Sequence, residues 1–141
     1  MDKNRISPKV FVWAGSLVTG LAVVLGALGA HWLKEQISML DMQSFETAIR
    51  YQLIHGLAIL ILGALPKPFH GLMLKLVFHF FWIGVLLFSG SIYLLATRDL
   101  TMLPLSWLGP VTPIGGLFMI TGWVLLFISS IRLVGERDEE H

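Results

Sequence analysis

The sequence predicts an all-α protein, an integral membrane four-helix bundle with a short amphipathic segment between spans one and two. Of its 141 residues, 55% are hydrophobic and only 13% are charged, whereas soluble domains carry roughly 25% charged residues. The chain also contains four uncharged stretches, and about 20 apolar residues in a helix cross the hydrocarbon core of a bilayer. An open sheet would leave backbone groups unpaired in lipid, so the spans are expected to be helical. Residues 1–141 are interpreted as a single membrane domain.

The four spans are expected at about 10–32, 45–65, 72–97 and 113–133. Each is built around a run without Asp, Glu, Lys or Arg: Val10–Ala30, Leu53–Leu65, Leu76–Thr97 and Pro113–Ile131. The first run is about 20 residues long, and the apolar region of a signal peptide has about 7 to 15. We therefore expect it to remain as a span rather than to be cleaved near Ala27 and Gly29.

The segment 34–50 between spans one and two is polar but patterned. Its apolar residues recur near helical spacing, which indicates a helix lying partly along the membrane surface; they are Ile37, Leu40, Phe45 and Ile49. Asp41 is the expected N-cap of span two. Glu46 and Arg50 are one helical turn apart and are expected to pair.

The other two connections carry prolines. PKPFHG (66–71) is expected to be a tight turn because proline cannot continue a helix. The apolar loop 98–113 has three prolines and is expected to fold back onto the membrane surface, with Trp107 among the headgroups. Thr112 and Pro113 have the residue types of an N-cap and a first helical residue for span four.

Basic residues are distributed unequally between the two sides. Four spans place both termini on one side, together with seven basic residues: Lys3, Arg5, Lys9, Lys67, Lys75, Arg132 and Arg137. The opposite side has three: Lys34, Arg50 and Arg98. Since basic residues favour the cytoplasmic side, both termini are expected to be cytoplasmic, in a bacterial inner (plasma) membrane.

Several polar residues are expected in the outer half of the bundle. At about 1.5 Å of rise per residue, adjacent antiparallel helices bring them to similar depths. The candidate polar or ligand-binding cluster comprises His31, Arg50, Tyr51, Gln52, His55, Ser89 and Tyr93. Polar residues inside a membrane are functional candidates. Alternatively, His31 and Arg50 reach the surface, and His55 makes a hydrogen bond to another helix.

Small residues form a second pattern, which is typical of closely packed membrane helices. The expected packing positions are Gly15, Ala22, Gly26, Gly29, Ala30, Gly90, Gly115 and Gly116. The alternative is that the small residues of span one make room for a bound cofactor.

Composition and motifs exclude several function classes. The absence of cysteine excludes disulfides and thiolate sites. The net charge of +1 and the lack of a basic patch argue against nucleic acid as a partner. No phosphate loop, HExxH pair or nucleophile elbow is present. We therefore predict no catalytic residue, no metal site and no cofactor.

Four stretches resemble a known family. They are GALGAHWL (26–33), FETAIRYQLIHGLAIL (45–60), LFSGSIYLLA (87–96) and LGPVTPIGGLFMITGW (108–123). Together they resemble the membrane-protein family called domain of unknown function 423, which includes the animal transmembrane protein 256. The resemblance implies a compact multi-span protein with no established catalytic residues. Its recurrent positions correspond to Gly29, His31, Tyr51, Gln52, His55, Ser89, Gly90, Tyr93, Thr112, Pro113, Gly115 and Gly116. Trp32 and Gly56 depart from the family's usual residues.

Three functions fit this sequence. The first is a non-enzymatic accessory or assembly partner, whose own partners are the lipid bilayer and a larger membrane complex or a homo-oligomer. The second is a small transporter or channel that uses the outer polar cluster. The third is a redox protein in which His31 and His55 bind haem or a quinone.

Overall fold

The computed structural model describes residues 6–65 and 71–138, with side chains described as far as Arg132. The helices are α1 (Pro8–His31), α2 (Met39–Ala64), α3 (Leu72–Ala96), the short α4 (Arg98–Thr101) and α5 (Val111–Asp138). Two 3-10 turns, Leu33–Glu35 and Ser106–Leu108, lie in the connections on the side of the bundle opposite the first residues of α1, which we call the outer side. The described residues contain no strand, and four helices are long and apolar enough to cross a membrane. The all-α membrane bundle is therefore confirmed. The PKPFHG turn, apart from Gly71, lies outside the described residues, as do His70 and His141.

Consecutive long helices are neighbours. The α1–α2 and α3–α5 pairs have the most extensive contacts, and α2 packs on α3 to join the two pairs. Three apolar clusters fill the interior. One surrounds Phe11 and Phe81, a second joins Val18, Val85 and Met119, and a third at the outer end contains Leu33, Phe45 and Ala96.

Glycines allow both helix pairs to approach closely. A Cβ on Gly15 would lie 2.9 Å from the backbone oxygen of Gly56, across the α1–α2 contact. In the other pair, a Cβ on Gly84 would lie 3.2 Å from the backbone oxygen of Gly115. A Cβ on Gly115 would in turn overlap the backbone of Phe88. Each pair therefore has a backbone-to-backbone contact that only a residue without a side chain permits.

The expected packing positions divide into two groups. Gly15, Ala22, Gly29 and Gly115 are buried, and a Cβ at Gly26 or Gly116 would make an ordinary van der Waals contact with Ile49 or Phe88. Ala30 and Gly90 do not pack in this way: Ala30 is exposed, and nothing lies within 4 Å of a Cβ on Gly90. Gly90 lies between Ser89 and Ser91, which face α2 and α5 respectively, so its own position points between the two contacts.

The start of α2 differs from the expectation. Its N-cap is Ser38 rather than Asp41, since Ser38 Oγ accepts the backbone N–H of Asp41 at 3.1 Å. Ser38 Oγ also donates to Asp41 Oδ2 at 2.7 Å, which ties the capping side chain to the first turn of the helix. The helix therefore begins at Met39. No separate surface helix covers the described segment 34–50, whose residues from Met39 onward form the first turns of α2.

Two further local expectations were wrong. Arg50 does not pair with Glu46, because its Nη2 donates to Thr47 Oγ1 at 3.2 Å. Thr112 is not an N-cap, because α5 begins at Val111 and the Thr112 hydroxyl bonds instead to Ser91. Trp107 is exposed in the outer loop, and its position among lipid headgroups stays a prediction.

The close α3–α5 contact predicts the effect of adding one methyl group. Gly115→Ala should lower the free energy of unfolding by about 1–3 kcal/mol, because the new Cβ meets the backbone of Phe88. Gly90→Ala, in the same helix pair, should be neutral or stabilising by up to about 1 kcal/mol, since its Cβ has open space. Reversible unfolding in mixed detergent micelles measures both. Equal losses in the two variants would contradict the assigned contact.

Candidate functional site

Gln52 is the centre of a polar network that joins three helices. Its side-chain nitrogen Nε2 donates to the backbone oxygen of Val18 on α1 at 2.9 Å. Its Oε1 accepts the hydroxyl proton of Tyr93 on α3 at 2.7 Å. The side chain is buried. The amide thus uses both its nitrogen and its oxygen to connect α2 with its two neighbours.

Serines on α3 add two connections near the same depth. Ser89 Oγ donates to the backbone oxygen of Ala48 on α2 at 2.9 Å. Ser91 Oγ and Thr112 Oγ1 are 2.7 Å apart, which joins α3 to α5. Both serines are buried. Hydrogen bonds of this kind stabilise membrane helix contacts by about 0.6 kcal/mol on average, and by up to about 1.7 kcal/mol.

His55 is enclosed by aromatic side chains and is only 4% exposed. Its Nδ1 lies 2.8 Å from the backbone oxygen of Tyr51, and its Nε2 lies 3.1 Å from the indole Nε1 of Trp123 on α5. A carbonyl oxygen only accepts and an indole nitrogen only donates. The geometry therefore assigns the proton of neutral His55 to Nδ1 and leaves Nε2 as the acceptor. The ring edge also packs against Phe81, with 5.2 Å between ring centroids.

The arrangement around His55 limits its chemistry. An axial haem ligand needs a free ring nitrogen, and both nitrogens of His55 already have partners. Ligation through Nε2 would require the Trp123 indole to give up its hydrogen bond. Gln52, His55, Ser89 and Tyr93 therefore contribute hydrogen bonds between helices. In the described residues, no group of three or more His, Asp or Glu side chains is arranged to hold a metal ion.

The remaining expected cluster residues lie outside this network. His31 is exposed at the end of α1 and is absent from the contacts of His55. Arg50 is exposed and bonds locally to Thr47. Tyr51 is partly exposed, and its ring packs on Phe88 with 4.7 Å between centroids. The structure thus bonds Gln52 to Tyr93, places Ser89 and His55 in separate bonds to neighbouring helices, and leaves His31 and Arg50 exposed.

Sequence reasoning missed three partners of the network. Two are the backbone oxygens of Val18 and Ala48, which no side-chain pattern reveals. The third is the indole N–H of Trp123 on α5. Its place in the middle of an apolar span, away from both interfaces, is the available signal that the indole N–H needs an acceptor.

One hydroxyl in this region differs from the others. Thr19 Oγ1 is buried against Gly56 at the α1–α2 contact and has no hydrogen-bond partner among the described residues.

At the outer surface, Asp41 and Arg98 form an ion pair at 3.7 Å between the start of α2 and α4. Because this pair is partly exposed, it stabilises the fold by at most about 1 kcal/mol.

The hydrogen bond from the Trp123 indole to His55 predicts that substituting Trp123 lowers the free energy of unfolding. Trp123→Phe keeps an aromatic ring but leaves His55 Nε2 unpaired, so unfolding should become easier by about 0.5–2 kcal/mol. Trp13→Phe is the matched control, since Trp13 is 65% exposed on α1. Its free energy of unfolding should stay within about 0.5 kcal/mol of the parent. A loss in the control as large as that at Trp123 would refute the assignment.

The Gln52–Tyr93 bond predicts that substituting Tyr93 offsets part of the stability lost on substituting Gln52. Gln52→Leu leaves the buried Tyr93 hydroxyl without its acceptor and should lower the free energy of unfolding by about 1–3 kcal/mol. Adding Tyr93→Phe removes that unpaired hydroxyl, so the free energy of unfolding of the double variant should fall by less than the sum of the two single changes. Strictly additive losses in a double-mutant cycle would argue against a direct bond.

Comparisons with known proteins identify a family and several relatives of this chain. The family model described as Protein of unknown function (DUF423) matches residues 25–116. A UPF0382 membrane protein of Staphylococcus haemolyticus is 38% identical over 127 residues, which cover 90% of this chain and 99% of that protein. UPF0382 membrane proteins of Staphylococcus epidermidis and Staphylococcus aureus are each 35% identical, with the same coverage. No solved structure is significantly similar to this chain. The chain belongs to the DUF423 family and is a membrane protein whose relatives are bacterial UPF0382 membrane proteins.

Proposed function

We propose that this protein is a non-enzymatic accessory or assembly partner of a larger membrane complex. The observation that carries the proposal is the contrast between the paired polar side chains at the centre of the bundle and its uncovered last helix. The central polar side chains Gln52, His55 and Tyr93 bond to groups of the same chain. Only 17% of the most apolar part of the last span is buried.

The uncovered surface of α5 is a continuous apolar stripe. Its members recur at helical spacing and are all exposed: Leu117, Ile120, Val124, Phe127 and Ile131. The stripe lies on a different side of α5 from Gly115 and Met119, which face the bundle. A lipid-facing helix and a helix that docks on another membrane protein both present such a face. The stripe is therefore the surface where we expect the partner to bind.

The same proposal includes the location and orientation. Membrane relatives in bacteria support a bacterial inner (plasma) membrane. The excess of basic residues on the side of the termini supports cytoplasmic termini. Of the seven residues in that excess, Lys9, Lys75 and Arg132 have described side chains.

A photo-crosslinking amino acid at Ile120 tests the assembly role in native membranes. We expect Ile120, which is 60% exposed on the stripe, to form an adduct with a different membrane protein. Val23 on α1, which is 62% exposed, is the matched control and should yield lipid adducts only. Gentle solubilisation should recover the same partner. Adducts from Ile120 that contain only lipid or a second copy, with the protein recovered alone or as its homo-oligomer, would overturn the proposal.

A further inference from the structure

An apolar groove lies between α2 and α5. Its volume is about 550 Å³, which lies within the range of small-ligand sites, about 300–1,000 Å³. The lining comes from five residues of α2, from Leu65 just after it and from three residues of α5, and Trp123 and Ser130 mark the two ends of the α5 wall. The Ser130 hydroxyl bonds to the backbone oxygen of Phe127 of its own helix. The groove therefore offers contacts to hydrocarbon and few to polar groups.

The groove has the length of one membrane leaflet. Along α2 it runs from Ile54 to Leu65, about 16 Å at 1.5 Å per residue. Half of a typical hydrocarbon core is about 15 Å. Leu65 follows the last residue of α2, on the side of the chain termini. The groove thus begins at that membrane surface and ends near the bilayer centre.

The two ends of the groove differ in character. At the end near the bilayer centre, Trp123 closes the groove, and its indole is held in place by its bond to His55. The other end opens where the described charged side chains are all basic, namely Lys9, Lys75 and Arg132. Such a basic surface attracts anionic lipid headgroups, by about 1 kcal/mol for each Lys or Arg.

The lining and length of the groove favour an acyl chain as its occupant. The walls are apolar apart from Ser130 and the Trp123 indole, and both of these polar groups already bond within the protein. A single hydrocarbon chain of one leaflet matches this wall in length and leaves no polar group unpaired.

We propose that the α2–α5 groove binds one acyl chain of an anionic glycerophospholipid from the leaflet on the side of the termini. The chain end lies against Trp123, and the headgroup lies at the basic end of the bundle. This site would hold one lipid in a fixed position, in contrast to the exchangeable lipids around the rest of the helices. It is independent of the assembly role, because the stripe on α5 and the groove use different sides of that helix.

Native mass spectrometry of the full-length, delipidated protein tests the site. The probes are dioleoyl phosphatidylglycerol, which is anionic, and dioleoyl phosphatidylcholine, which is zwitterionic. We expect one phosphatidylglycerol to bind at least five-fold more tightly than phosphatidylcholine, since about 1 kcal/mol corresponds to about five-fold. Neutralising the basic end with Lys9→Gln, Lys75→Gln and Arg132→Gln should reduce this preference by at least five-fold.

A groove-filling variant tests where the chain lies. Ile61→Phe adds volume from an exposed position in the groove wall and should weaken phosphatidylglycerol binding several-fold. Val23→Phe is the matched control, because both residues are 62% exposed and Val23 lies on α1, away from the groove. Unchanged melting temperatures establish that both variants fold.

Fluorescence provides a second measurement. Phosphatidylglycerol brominated near the chain end should quench a component that Trp123→Phe removes, and the Ile61→Phe variant should reduce that quenching. Equal binding of the two lipids that is unaffected by Ile61→Phe would overturn the proposal. Dimers that Ile61→Phe disrupts would also overturn it, in favour of a second copy as the occupant.

Discussion

The pairing of polar groups away from water determines much of this structure, with the Thr19 hydroxyl as an exception among the described residues. In hydrocarbon an unpaired group costs several kcal/mol, so the backbone forms helices and side chains seek partners in the same chain. Gln52 satisfies this requirement most completely, since one amide bonds to α1 through its nitrogen and to α3 through its oxygen. His55 extends the same arrangement to α5 through Trp123. Together these bonds restrict how each of the four spans can rotate about its axis.

Close packing makes these bonds geometrically possible. Gly15 and Gly56 let α1 and α2 touch at the backbone, and Gly84 and Gly115 do the same for α3 and α5. Short separations between helix axes bring backbone oxygens such as that of Val18 within reach of a side chain on the neighbouring helix. Glycine packing and polar pairing are therefore interdependent, because a larger residue at Gly56 would move α1 away from Gln52.

Much of the fold follows from the sequence, and the exceptions have physical causes. Charge-free runs placed the first span within a few residues of Pro8–His31. The start of α2 was placed too late because charged and polar side chains interrupt residues 39–50, although the Ser38 and Asp41 pair that caps the helix is visible in the sequence. Depth arguments placed Gln52 and Tyr93 at the same level, and the two side chains are hydrogen-bonded. The rotation of each helix about its axis depends on tertiary packing and could not be predicted. This rotation leaves open space beside Gly90 and brings the Trp123 indole to His55. The backbone oxygens that accept hydrogen bonds could not be predicted for the same reason.

The pairing of helices by sequence neighbours has a consequence for biogenesis. Each glycine contact lies within a hairpin, α1 with α2 and α3 with α5, so each hairpin can close as soon as its second helix enters the bilayer. The bonds of Ser89 to Ala48 and of Tyr93 to Gln52 join one hairpin to the other and can form only afterwards. Until α3 arrives, Gln52 has no hydroxyl donor from Tyr93. The newly inserted first hairpin therefore exposes the side-chain oxygen of Gln52 to the membrane interior until α3 inserts and Tyr93 bonds to it.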